Sequence, residues 1–137
     1  MSRPTTDVLR QVPLFADLEQ RELDRIADSF KERRFSAGET VSSEGGGAAG
    51  FFVIAEGKAS VSVGGSPRGT LGPGDHFGEV ALIDEGARTA TLTADSDMLC
   101  YGMTFWEFRP IVEGNAQIAW KLLQALARKL RAAEQSA

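Results

Sequence analysis

Residues 74–90 read GDHFGEVALIDEGARTA, and the rest of the chain is organised around them. A carboxylate, Glu79, follows Gly78 and stands nine positions before Arg88. Between the two charges lie a short apolar turn (Val80, Ala81, Leu82, Ile83) and an acidic loop (Asp84, Glu85, Gly86). Gly78 lets the backbone approach a ligand closely. A helical first turn beyond it offers unpaired N–H groups suited to an anion. Arg88 adds a planar fork that matches a phosphate. Glu79 is acceptor-only when ionised, so it turns from the anion and accepts from sugar hydroxyls. The constellation describes a ligand with one phosphate and one ribose. On charge alone, Arg88 has the alternative of an internal ion pair with Glu79, Asp84 or Glu85.

Periodicity bears on that choice. From Arg88 onward, Ala90, Leu92 and Ala94 fall on one face and Thr89, Thr91 and Thr93 on the other. Arg88 shares the parity of the apolar face. An arginine aimed at a core is costly unless an anion or a carboxylate meets it.

Gly78, Glu79, Ala81 and Leu82, followed after a short loop by Arg88, Thr89 and Ala90, resemble the phosphate-binding cassette of the cyclic nucleotide-binding domain family. That family includes bacterial catabolite regulators, cyclic-nucleotide-dependent kinases and gated channels. The resemblance implies a site for a cyclic purine mononucleotide, cAMP or cGMP, with no further cofactor. Phe77, Gly78, Glu79, Val80, Ala81, Leu82, Arg88, Thr89 and Ala90 would line it. Glu79 would take the ribose 2′-hydroxyl, Arg88 the cyclic phosphate, and N–H groups around Ala81 and Leu82 would complete the anion site. The base is left open. Thr89 occupies a position that helps some members select cGMP, yet a β-branched residue also simply suits a strand. Where cAMP-activated bacterial regulators carry an adenine-contacting Thr-Ser pair in the last helix, this chain has Ala133 and Glu134.

The 137 residues fit one domain, 1–137, with 42% hydrophobic and 25% charged residues. A net charge of −4 argues against broad nucleic-acid binding. Those regulators continue into a helix-turn-helix that this sequence has no room for, so specific DNA binding by the chain itself is not expected. No apolar run approaches the roughly 18 residues that span a bilayer, and no signal core opens the chain. A cytoplasmic protein without membrane contact is expected. The single cysteine, Cys100, excludes an internal disulfide and reads as a small buried hydrophobe. One histidine, His76, excludes a His-rich metal site, and it reads as half-exposed in a turn.

The fold expected is mainly β with flanking helices: an antiparallel β-roll, jelly-roll-like, over residues 34–103, after a helical segment 1–31 and before C-terminal helices 104–134. Asp17 to Gln20 reads as a capping box opening a helix over 17–30, with Leu23, Ile26, Ala27 and Phe30 as its apolar stripe. Strands are expected at 39–43, 51–56, 58–63, 68–71, 88–94 and 98–103. Ala59, Val61 and Val63 should face inward, and 64–67 should form a hairpin loop. Thr104 and Glu107 form a second box, with Pro110 kinking or ending the helix near Arg109. A last helix over about 115–134 carries Ile118, Leu122, Leu126 and Leu130. That stripe suits packing on the roll or a dimer seam, and Lys121, Arg128, Lys129 and Arg131 read as a solvated face.

Three functions compete. The leading one is a non-enzymatic cyclic nucleotide sensor that signals by movement of its C-terminal helices to a partner chain or a separate effector protein. The second is a scaffold or homodimerisation module of the same fold that has lost nucleotide binding. An enzyme is the weakest, since no nucleophile elbow or Ser-His-Asp spacing is present, and a phosphodiesterase would need metal ligands that the sequence lacks.

Overall fold

The computed structural model describes residues 3–42, 50–78, 82–83 and 90–136. Thr5 caps the first helix, α1 (Thr6–Arg10), its hydroxyl accepting the Val8 N–H at 3.2 Å. Pro13 then opens a 3₁₀ turn, Pro13–Phe15, that buries Leu14 and Phe15. Helix α2 (Gln20–Asp28) carries the expected stripe, with Leu23, Ile26 and Ala27 fully buried and Phe30 buried beyond its end.

α2 begins later than 17 because both members of the expected box are engaged elsewhere. Arg128 holds the Asp17 carboxylate, and Gln20 donates to Thr6 Oγ1 at 2.8 Å. Glu22 reaches back instead and accepts the Glu19 N–H at 2.8 Å.

Eight strands follow among the described residues: β1 (Lys31–Phe35), β2 (Thr40–Ser42), β3 (Phe51–Glu56), β4 (Ala59–Val63), β5 (Ser66–Leu71), β6 (His76–Phe77), β7 (Thr91–Ala94) and β8 (Met98–Met103). They form two antiparallel four-stranded sheets, ordered β1-β8-β3-β6 and β2-β7-β4-β5. This is the jelly-roll-like β-roll expected, with helices before and after it. Between the sheets, Phe52, Ile54, Met98 and Cys100 meet Val41, Ala59, Leu92 and Ala94. On the other face of the first sheet, Phe51, Val53 and Met103 pack with Leu9, Phe15, Leu23, Phe108 and Ile118. A sheet covered on both faces explains why Phe51 to Ile54 form an unbroken apolar run. Phe51 is the joint of that second layer, edge-on to Phe15 and Phe30 at centroid distances of 5.9 and 5.8 Å.

Several boundaries depart from the sequence reading. β1 starts at Lys31, so the roll begins before 34. Only Gly64 and Gly65 turn the β4–β5 hairpin, both with positive φ (57° and 81°), as a two-residue turn requires. Ser66 and Pro67 therefore lie in β5, and Pro67 is tolerated there because β5 is an edge strand. His76 is in a strand rather than a turn, opposite Val53 and 5.8 Å from the Phe51 ring. In β4 Ala59 is fully buried and the half-buried Val61 packs against the inter-sheet core, as expected, while Val63 is only half-buried. Val63 lies beside the turn, opposite the exposed Ser66.

Helix α3 (Phe105–Glu113) is boxed as expected: the Glu107 N–H donates to Thr104 Oγ1 and the Thr104 N–H to Glu107 Oε1. It does not end near Arg109 but runs through Pro110 to Glu113. Proline costs the ladder one bond, to the Trp106 carbonyl, and both residues sit on the exposed side where water can take that acceptor. Asn115 Oδ1 accepts the Ile118 N–H at 3.1 Å and opens α4 (Ala116–Ser136). Its apolar stripe divides. Ile118, Leu122 and Ala125 are buried, whereas Leu130 is 63% exposed. No described helix is long and apolar enough to cross a membrane.

Candidate functional site

The approach to residues 78–90 is fixed from β3. The Gly74 N–H donates to the Ile54 carbonyl at 2.8 Å, and the Ile54 N–H donates to the Asp75 carbonyl at 2.9 Å. The Asp75 carboxylate accepts the Gly72 N–H at 2.8 Å and ties the preceding turn. β6 then brings Phe77 opposite Phe52, half-buried against the inter-sheet core. Gly78 follows with φ of 84°, the left-handed region that a side chain strains to adopt. Glycine is thus required at this position by backbone geometry, independently of any ligand.

Leu82 is 1% exposed and belongs to the helical core, while Ile83 next to it is exposed. Ala90 is buried and hands the chain to β7. The stretch therefore leaves one sheet at Phe77 and enters the other at Thr91. Of the residues assigned to the site, Phe77, Gly78, Leu82 and Ala90 are placed as described. Glu79, Val80, Ala81, Arg88 and Thr89, with Asp84, Glu85 and Gly86 of the acidic loop, lie outside the described residues.

Leu82 and Ile83 also face the C-terminal helices. They line an open apolar groove of about 260 Å³ together with Phe105, Phe108, Val112 and Leu122. The middle of the cassette stretch thus abuts both α3 and α4. Among the described residues, no group of three His, Cys, Asp or Glu side chains is arranged to hold a metal.

Helix α4 is held from its other side by charge. Lys121 Nζ donates to Glu22 Oε1 at 2.9 Å, and Arg128 pairs with Asp17. Burial works against the ionised Glu22 carboxyl, but the Glu19 N–H and the Lys121 ammonium outweigh it and hold it below its ordinary range. Neither pair was read from the sequence, where Lys121 and Arg128 counted as a solvated face. One signal was available: Glu22 lies four residues before Ile26, on the apolar stripe of α2, where a carboxylate needs a partner.

Comparison with known proteins accords with this geometry. The sequence profile described as "Cyclic nucleotide-binding domain" matches residues 32–115, which enclose both sheets and the cassette stretch. The chain is 42% identical over 90 residues to a cAMP-dependent protein kinase regulatory subunit of Mycosarcoma maydis, covering 63% of this chain and 17% of that one. It is 31% identical over 127 residues to a cyclic AMP receptor protein of Thermus thermophilus, covering 89% of this chain and 59% of the relative. The chain thus spans only part of each of these curated relatives.

Among solved structures, the N-terminal domain of a transcriptional regulator from Streptomyces coelicolor superposes with a TM-score of 0.86 at 31% identity, covering 97% and 96% of the two chains. The regulatory domain of Toxoplasma gondii PKA, crystallised with cAMP, superposes with a TM-score of 0.68 at 28% identity, over 77% and 42%. A profile match over most of the chain, two packed antiparallel sheets, and a left-handed Gly78 opening the link between them lead to one assignment: the chain belongs to the cyclic nucleotide-binding domain family.

Proposed function

We propose that this chain is a non-enzymatic sensor that binds a cyclic purine mononucleotide, cAMP or cGMP, through residues 77–90. Glu79 accepts from the ribose 2′-hydroxyl, Arg88 forks the cyclic phosphate, and N–H groups around Ala81 and Leu82 complete the anion site. Phe77, Gly78, Val80, Thr89 and Ala90 form the walls. The observation that carries this reading is the coincidence of the family match over 32–115 with the full Gly78, Glu79, Ala81, Leu82, Arg88, Thr89, Ala90 pattern inside it. That the named relatives are a cAMP-dependent kinase regulatory subunit and a cyclic AMP receptor protein favours cAMP over cGMP.

Signal output is assigned to α3 and α4. Leu82 and Ile83 share one apolar groove with both helices, so a ligand bound at the cassette changes what those helices pack against. The ligand then shifts an existing balance between two helix positions. The test is calorimetric titration of nucleotide-stripped protein with cAMP and cGMP, with Arg88→Ala as control. Saturable binding that Arg88→Ala weakens at least about a hundredfold, with the fold intact by circular dichroism, supports the sensor. Absence of heat with either nucleotide from folded wild type refutes it.

A second reading, a homodimerisation module, is favoured by one feature of α4. Trp120, Leu123 and Leu130 are 63%, 57% and 63% exposed, and Leu123 and Leu130 stand one heptad apart on a side of the helix away from the buried Ile118. Both functions are compatible in one chain, with the seam carrying the output between two copies.

A further inference from the structure

Ser42 ends β2 and lies opposite Leu92 of β7. The pairing passes from Thr40 opposite Thr93 to Ser42 opposite Leu92, so Val41 is an extra residue in the strand. Such a bulge breaks the strict alternation of faces and re-aims the side chains around it. Under plain alternation Ser42 would share the outward face of Thr40, which is exposed. With the bulge, Val41 and Ser42 both turn inward. Val41 packs in the inter-sheet core, and Ser42 takes the face of Leu92 at 4% exposure.

The Ser42 hydroxyl is therefore placed inside the roll by a deliberate irregularity, yet its Oγ has no hydrogen-bond partner among the described residues. Buried polar groups are nearly always satisfied, because leaving one unpaired is destabilising. An apolar residue would serve the core better than serine at this position. A hydroxyl aimed inward suits a group that comes from outside the chain.

Its location ties it to the cassette. Ala90, the last cassette residue, and Leu92, the partner of Ser42, share the buried face of the segment entering β7, one pleat repeat of about 7 Å apart. Within the proposed site, Glu79 and Arg88 take the ribose and the phosphate, which leaves Thr89 as the one polar side chain so far assigned beside the base. Ala133 and Glu134 supply no hydroxyl to it. Serine both donates and accepts, so it can meet an amino or a carbonyl group on a purine edge.

We propose that Ser42 Oγ, turned inward by the bulge at Val41, contacts the purine of the bound cyclic nucleotide and sets base preference. This rests on the cassette being a cyclic nucleotide site. The test titrates wild type and Ser42→Ala with cAMP and cGMP by calorimetry and melts both proteins without ligand. Ser42→Ala is expected to weaken the preferred nucleotide roughly tenfold and to narrow the ratio between the two bases. Its unliganded melting temperature should hold or rise, since the orphan hydroxyl is gone. Unchanged affinity for both nucleotides overturns the contact. An equal loss for both overturns the base assignment, because the hydroxyl then meets the sugar-phosphate they share. A fall in the unliganded melting temperature overturns it too, because the hydroxyl then has a structural partner. Wild type that binds neither nucleotide brings down the cassette reading itself and this inference with it.

Discussion

Glu22 on α2 and Lys121 on α4, 99 positions apart in the chain, meet at 2.9 Å with the Glu22 side chain only 3% exposed. Glu22 also accepts the Glu19 N–H, so a single carboxylate caps one helix and anchors another. Because its carboxyl is held below the ordinary 4.5, its contribution to stability is full above that value and lost as pH falls through the lower folded value. Glu22→Gln should cost about 1–3 kcal/mol at neutral pH, measured by urea unfolding, with the gap to wild type closing under acid conditions. A gap that stays constant with pH would show that the charge is not what matters.

Gly57 ends β3 with φ of 93°, and a Cβ built there would run into the Asp97 carbonyl and lie 3.0 Å from the Met98 Cα. The Asp97 and Met98 atoms it would strike are backbone, which cannot give way as the end of a flexible side chain can. Gly57→Ala should therefore destabilise the fold by more than about 1 kcal/mol. Gly64→Ala is the control: its φ is also positive, but nothing lies within 4 Å, so it should cost less. Equal melting temperatures for the two variants would contradict the steric account.

Cys100 lies in the inter-sheet core with no exposed surface, and burial pushes its thiol up to about 11. Thiolate, the reactive form, is scarce at any pH where the protein is handled. Ellman's reagent at mildly alkaline pH should label Cys100 only as fast as the protein unfolds. Urea should bring immediate labelling. Rapid labelling of folded protein would mean that the core opens locally.

The double variant Leu123→Ser, Leu130→Ser tests the exposed face of α4. Both side chains are more than half exposed, so unfolding curves should move little. If that face is a dimer seam, light scattering should report a dimer for wild type and a monomer for the double variant. A wild type that stays monomeric at high concentration removes the seam.

Where one local rule decided an element, the sequence disclosed it. The strands 51–56 and 98–103, the Thr104–Glu107 box and the α2 stripe all follow from short-range pattern. Residues failed to disclose their place where a distant partner decided it. Asp17 looked like a cap but belongs to Arg128, and Lys121 looked solvated but belongs to Glu22. Pro67 reads as a loop residue until β5 is known to be an edge. Within residues 77–90, the buried face that Ala90 shares with Leu92 and Ala94 was legible from parity, whereas the left-handed backbone at Gly78 was not, since glycine there reads equally as close approach to a ligand. The inward turn of Ser42 was not, since a bulge is defined by the strand opposite.

The order of strands in the two sheets has a consequence for synthesis. β8 pairs with β1 and β3, placing Gly102 opposite Lys31, and β7 pairs with β2 and β4. One of the two interior strands of each sheet is thus among the last two of the roll to leave the ribosome. Until they emerge, β1 and β2 have no strand to join, and only the β4–β5 hairpin and the short β3–β6 pairing can form. The nascent chain must keep Phe51 and Phe52 soluble until β8 has emerged and then close both sheets together. Pairing across such separations sets refolding on the order of milliseconds to seconds.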